Sequence, residues 1–150
     1  MSEEFRLILH KARQYCDYQE RCISEVKDKL RSWQVKPEIS DKIILSLEEE
    51  NYIDEDRYVR AFALGKLRNN QWGRNKIMYL LRQKDIPEII IEIGLQEIDS
   101  EEYLEILKKL LKNKKTKAPN AATEKAKLAQ YAIGKGFQPH LVWQLLNEKE

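Results

Sequence analysis

An all-α fold, built as three tandem three-helix repeats in a solenoid-like array, is what this sequence predicts. Composition is the first sign: the 150 residues include only five glycines and four prolines among many Leu, Ile, Lys and Glu, which favours helix. The second is an internal repeat. Val26, Leu30, Val35, Ile39 and Ile44 stand 51 positions before Ile77, Leu81, Ile86, Ile90 and Leu95, and the same step leads on to Leu128, Ala132, Phe137, Leu141 and Leu146. A fixed period of that kind marks an array whose small units cannot each bury an apolar face alone, so that neighbours cover the edges. Third, Pro37, Pro87 and Pro139 follow Val35, Ile86 and Phe137 by one or two residues, where a short turn hands over to a new helix with proline at its first position.

In the first unit, residues 1–53, a helix over residues 5–18 places Phe5, Ile8, Leu9, Ala12 and Cys16 on one face. A second helix, residues 23–32, contributes Val26 and Leu30, and a third, residues 37–49, contributes Ile39, Ile43, Ile44 and Leu47. The second unit, residues 54–98, begins with Asp54, Glu55 and Asp56 as N-cap and first-turn negative charge. No histidine or further acid converges on these carboxylates, so they read as a helix start rather than a metal or acid–base cluster. The helix that follows turns Tyr58, Val59, Phe62 and Ala63 inward, and Lys66, falling among them, is expected to snorkel. Gly73 reads as a turn residue and Trp72 as a cover for the unit junction, with Trp33 and Trp143 also packing residues. In the third unit, residues 99–150, a helix over residues 101–112 leads into NKKTKAPNAAT, a lysine-rich loop near 112–122. The last helices cover residues 123–135 and 139–147.

Charge is distributed unevenly along this frame. Between Asp56 and Asp85 there is no acid, while Arg57, Arg60, Lys66, Arg68, Arg74, Lys76, Arg82 and Lys84 supply eight positive charges. The whole chain carries only +2, so the surface is expected to be bipolar, with a face suited to a polyanion or an acidic protein. On the helix that opens at Arg74, Lys76, Tyr79 and Arg82 share an arc away from Ile77 and Leu81. Cations there can pair with phosphates and the tyrosine can stack on an unpaired base. A second acid-free block runs between Glu105 and Glu124, with Lys108, Lys109, Lys112, Lys114, Lys115 and Lys117. It reads equally as a solvated loop or as a phosphate contact.

Several classes drop out. No apolar run approaches the roughly 20 residues of a membrane span, and the start MSEEFRLIL lacks the order of a signal peptide. A cytoplasmic protein with no membrane partner is expected. Cys16 and Cys22 lack CxxC spacing and read as reduced, structural thiols. With His10 and His140 as the only histidines, no phosphate-cradling glycine loop and no nucleophile placed beside a base, neither an enzyme nor a bound metal or cofactor is expected.

Three stretches carry a family resemblance: NYIDEDRYVRAF at residues 51–62, WGRNKIMYLLRQKDI at 72–86 and YAIGKGF at 131–137. They resemble the signature segments of RecX regulatory proteins, bacterial modulators of the RecA recombinase. The likeness spans nearly the whole chain, with departures. Asn51 and Asp85 stand where the family often has glycine, Lys76 where it often has arginine, and Gly134 at the first arginine of the last element. In YQERCISEVKDKL the family's pattern is kept only through Arg21, Ser24, Glu25 and Val26.

The resemblance implies three three-helix units in a curved, elongated monomer that binds RecA filaments, together with single-stranded and in some cases double-stranded DNA. It further implies inhibition of RecA's ATPase, strand-exchange and co-protease activities, by lodging in the filament groove or capping its growth. On that reading the candidate RecA and DNA contacts are Arg57, Arg60, Arg68, Arg74, Lys76, Tyr79, Arg82 and Lys84, with Lys114, Lys115 and Lys117 in the loop. The alternative is a direct DNA-binding protein that lays a helix in the major groove, with Arg74, Asn75 and Lys76 at its exposed first turn.

Overall fold

The computed structural model describes residues 2–148. Among them run nine α-helices and no strand: α1 Glu3–Tyr18, α2 Ile23–Ser32, α3 Pro37–Glu49, α4 Glu55–Asn70, α5 Arg74–Gln83, α6 Glu88–Gln96, α7 Ser100–Asn113, α8 Ala121–Gly134 and α9 Pro139–Leu146. Four of the nine starts are fixed by side-chain caps. Ser2, Asp54, Asp99 and Asn120 accept from the backbone N–H three residues on, satisfying donors that the first turn leaves open. Ser2 and Asn120 start α1 and α8 two residues earlier than the apolar pattern alone indicates. Pro37 and Pro139 occupy first-turn positions as expected, whereas Pro87 is the N-cap of α6. The lysine-rich connection shrinks to residues 114–120 because helix continues into it from both sides.

The repeat is visible in the backbone as well as in the apolar template. The turns after α2, α5 and α8 each pass through a positive φ, at Gln34 (60°), Asp85 (60°) and Gly136 (102°), one repeat period apart. Val35 N–H donates to the Leu30 carbonyl and Phe137 N–H to that of Ala132, the six-to-one bond of a Schellman C-terminus, for which a left-handed residue is required. Leu30, Leu81 and Ala132 lie fully buried at the equivalent place in each unit.

The helices pack in threes: α1 and α2 on α3, α4 with α5 and α6, and α7 with α8 and α9, with α4 against α7 the main pairing between units among the described residues. Two cores result, and their division is unequal. Leu9, Ala12, Val26, Leu30, Ile43 and Leu47 form one within the first three helices. Buried apolar residues from Tyr58 to Val142 form the other, so that the second and third units share a single core.

The joints differ in the same sense. Between the second and third units the backbones touch: Gly73 N–H donates to the Lys135 carbonyl and Asn75 N–H to the Gly136 carbonyl, both at 2.9 Å. A Cβ on Gly73 would lie 2.4 Å from the Gly136 carbonyl carbon, and one on Gly136 would lie 2.4 Å from the Lys76 Cβ. Only glycine permits that approach. Between the first and second units the contacts are largely polar: Arg57 with Glu20 at 2.5 Å, Lys84 with Glu25 at 3.1 Å, and Ile23 N–H donating to the Glu55 carboxylate at 3.1 Å. Cys22 is the apolar exception, fully buried against the shared core. Cys16 and Cys22 are both buried and free, and burial pushes the Cys16 thiol up to about 11. Trp33 packs on the first core, but Trp143 corrects the expectation of a packing residue, standing 39% exposed on α9.

Candidate functional site

The acid-free segment of the sequence does not remain a bare cationic face. Carboxylates from other elements meet five of its eight cations. Arg57 on α4 is bound by Glu20 and also donates to the Asn51 carbonyl at 3.0 Å. Arg60 meets Glu97 at 3.3 Å. Arg68 makes a two-armed contact with Glu102 at 2.6 and 2.9 Å, and Arg82 another with Glu88 at 2.9 and 2.5 Å. Lys84 is held by Glu25. Hydrogen bonds from Arg68 and Arg82 hold Glu102 and Glu88 below the usual carboxylate range. Charges one-sided in sequence are therefore mixed in space, and the field of α5 toward an incoming polyanion is weakened accordingly.

Arg74 is placed differently again. Its guanidinium donates to the Leu95 carbonyl at 3.0 Å and lies 5.2 Å from the centre of the Tyr103 ring, while its own N–H donates to the Tyr103 hydroxyl. That hydroxyl donates in turn to Gln138, so the start of α5 is tied into the third unit. Tyr79 alone of the α5 arc is plainly free, 60% exposed.

The remaining expected cations are less quenched. Lys76 lies over Trp72, its ammonium 4.2 Å from the ring centre, and Lys114 lies over Tyr131 at 4.4 Å. Lys115 and Lys117 are exposed on the connection after α7. Sequence reasoning missed the partners. Lys66 joins Lys76 on Trp72 at 5.1 Å, and Lys135 joins Lys114 on Tyr131 at 5.7 Å. Lys66 does reach past its apolar neighbours as expected, with Phe62 5.5 Å from its ammonium. The four-residue steps from Trp72 to Lys76 and from Tyr131 to Lys135 were the available signal, although Trp72 stands just before α5 and Lys135 just after α8.

Beside Tyr131 a cleft of about 470 Å³ opens between α4, α7 and α8, walled by Arg68, Lys109 and Lys114, with Ile106 and Leu110 as its apolar floor. No carboxylate lines it. Among the described residues no group of three or more His, Cys, Asp and Glu could hold a metal ion, and no helix is long and apolar enough to cross a membrane.

Two family models match the chain in tandem. One, described as "RecX, second three-helix domain", covers residues 54–95, and the other, "RecX, third three-helix domain", covers residues 101–146. Curated relatives agree. "Regulatory protein RecX" of Streptococcus sanguinis (strain SK36) is 32% identical over 82% of this chain and 48% of its own length. The protein of that name from Prosthecochloris aestuarii (strain DSM 271 / SK 413) is 28% identical over 95% of this chain and 93% of its own. This chain thus spans about half of the Streptococcus relative and nearly all of the Prosthecochloris one. Among solved structures, RecX from Lactobacillus salivarius superposes with a TM-score of 0.82 at 22% identity, covering 97% of this chain and 96% of that one, which shows a shared fold. On tandem matches that together take in most of its second and third units, this chain belongs to the RecX family of regulatory proteins.

Proposed function

We propose that this protein is a non-enzymatic cytoplasmic regulator of RecA, acting as a monomer on the filament that RecA forms on single-stranded DNA, and slowing its ATP hydrolysis, strand exchange and co-protease activities in DNA repair and recombination. The observation that carries the reading is family membership over two consecutive units. The physical architecture supports it. The units read at residues 1–53, 54–98 and 99–150 are consistent with helices packed in threes, with open clefts among the described residues, and such an array suits a polymer better than a small substrate.

Direct reading of duplex DNA by α5 gains no support from the geometry. The first-turn N–H groups of Arg74 and Asn75 are taken by Tyr103 and Gly136, and the Arg74 side chain turns to Leu95. A recognition helix needs that turn free.

The test is RecA's DNA-dependent ATP hydrolysis measured with increasing amounts of this protein, beside co-sedimentation with RecA on single-stranded DNA. Slowed hydrolysis with co-sedimentation is expected. Unchanged hydrolysis at saturating protein would remove RecA as the target.

A further inference from the structure

We infer that a single-stranded nucleic acid is bound across the joint between the second and third units, on a track of two rings and four lysines: Lys66, Trp72, Lys76, Lys135, Tyr131 and Lys114. This deepens the functional reading above by placing the contact with the filament's nucleic acid, and it rests on that reading for its biological setting.

Three observations lead there. The first is unmatched charge. Each ring gathers two ammonium groups, Lys66 and Lys76 at 5.1 and 4.2 Å from Trp72, Lys114 and Lys135 at 4.4 and 5.7 Å from Tyr131. None of the four makes an ion pair among the described residues, whereas the arginines of α4 and the cations at the end of α5 do. Like charges sharing one ring repel, and a phosphate between them relieves the repulsion.

Continuity is the second. Trp72 directly precedes Gly73, whose N–H donates to the carbonyl of Lys135, and Lys76 abuts Gly136. The two ring clusters are thus pinned side by side by backbone contacts, on a joint built over a shared core. Fixed spacing between cations is what a polyanion with a fixed phosphate repeat exploits.

Third, the adjoining cleft is lined by cations and amides, and its one arginine, Arg68, is already paired with Glu102. The cleft beside Tyr131 adds Lys109 and the amides of Gln71 and Asn113, with no carboxylate in its wall. An acidic protein segment would satisfy the charge alone. Lysines on flexible stems over two rings, with amides and an apolar floor next to them, match an unpaired strand better, the ammonium groups swinging to phosphates as bases take the ring faces.

The experiment uses a fluorescent thymidine oligonucleotide of about 20 residues, long enough for several contacts, and reads anisotropy over a range of salt. In the full chain, Lys66, Lys76, Lys114 and Lys135 are all changed to Gln. The control changes Lys11, Lys27, Lys36 and Lys42 of the first unit to Gln, altering net charge equally. A third protein carries Tyr131→Leu, which removes a ring and no charge. The track variant should bind at least about tenfold more weakly, with a log–log salt slope flatter by roughly 0.7 for each phosphate left without a lysine partner. Tyr131→Leu should lose affinity with an unchanged slope, and the control should match the parent. Equal binding by the track and control variants overturns the inference, as does equal parent affinity for duplex and single strand, since rings cannot reach stacked bases. A parent that slows RecA but binds no oligonucleotide overturns the track and leaves the functional reading standing. A parent that binds through these residues without affecting RecA does the reverse.

Discussion

Gly136→Ala should separate the second and third units while leaving each helix's local signals intact. Two costs act together. At φ 102° the backbone lies where a side chain is rarely accommodated, a strain of roughly 1–2 kcal/mol for an L-residue. The new methyl would also lie 2.4 Å from Lys76 Cβ and 2.6 Å from Lys76 N, and forcing an extra carbon into filled space costs typically about 1–3 kcal/mol. Together they destabilise by roughly 2–5 kcal/mol, which moves a urea midpoint by about 1–2 M for a protein of ordinary denaturant sensitivity. Gly134→Ala is the control, two residues earlier in the same chain. A Cβ there meets nothing within 4 Å, so the change should be neutral or stabilise by up to about 1 kcal/mol through helix propensity. Urea unfolding followed by circular dichroism compares the two. If Gly136→Ala shifts stability by less than about 0.5 kcal/mol, the surface-site range, close backbone approach at Gly136 does not hold the two units together.

Leu81, fully buried on α5, should lose about 2–5 kcal/mol on change to Ala, the range for a cavity in a packed core; a surface-sized effect would mean that the helical phase is wrong. Burial raises the pKa of Glu55 despite the N–H it accepts from Ile23. Its charge therefore lowers stability at neutral pH, and that cost fades as pH falls through the raised value, so Glu55→Gln should stabilise at pH 7 and lose its advantage in acid. Glu88 and Glu102 run the other way: with lowered values, their pairs contribute above the ordinary 4.5 and the contribution disappears as pH falls through the lowered values. Cys22, fully buried with a raised pKa, should resist a thiol reagent in a Cys16→Ser background and react faster at high salt, as screening loosens the Glu20–Arg57 and Glu25–Lys84 pairs around it. Salt-independent labelling would show that those pairs do not hold the first unit in place.

Much of this fold was legible because a short-range pattern repeats. Apolar spacing gave the inward faces of α1 to α5, and the repeat period pointed to Leu30, Leu81 and Ala132, all fully buried. Even the departures from the family pattern at Asn51 and Asp85 acquire a physical reading: both sit at positive φ, 64° and 60°, where glycine is the easiest residue and Asn or Asp the next. The candidate site was less legible because ion pairing is a long-range property. Nothing within residues 57–84 announces that Glu20, Glu25, Glu97 and Glu102 will close on its cations.

Arginine does the same work at both joints. Arginines at unit edges act as staples: Arg57 reaches back to the first unit, Arg68 forward to the third, and Arg74 clasps the Leu95 carbonyl and the Tyr103 ring. A planar guanidinium that makes two-armed contacts suits that role. Lys66, Lys76, Lys114 and Lys135, each a compact charge on a flexible stem, lie over aromatic rings without a carboxylate, whereas Lys84 is held by Glu25. Basic content alone therefore overstates the binding surface. Subtracting the arginines turned to carboxylates or carbonyls leaves Lys76 on α5 and shifts the remaining cationic face toward the glycine joint and the third unit, where the second and third units share one core.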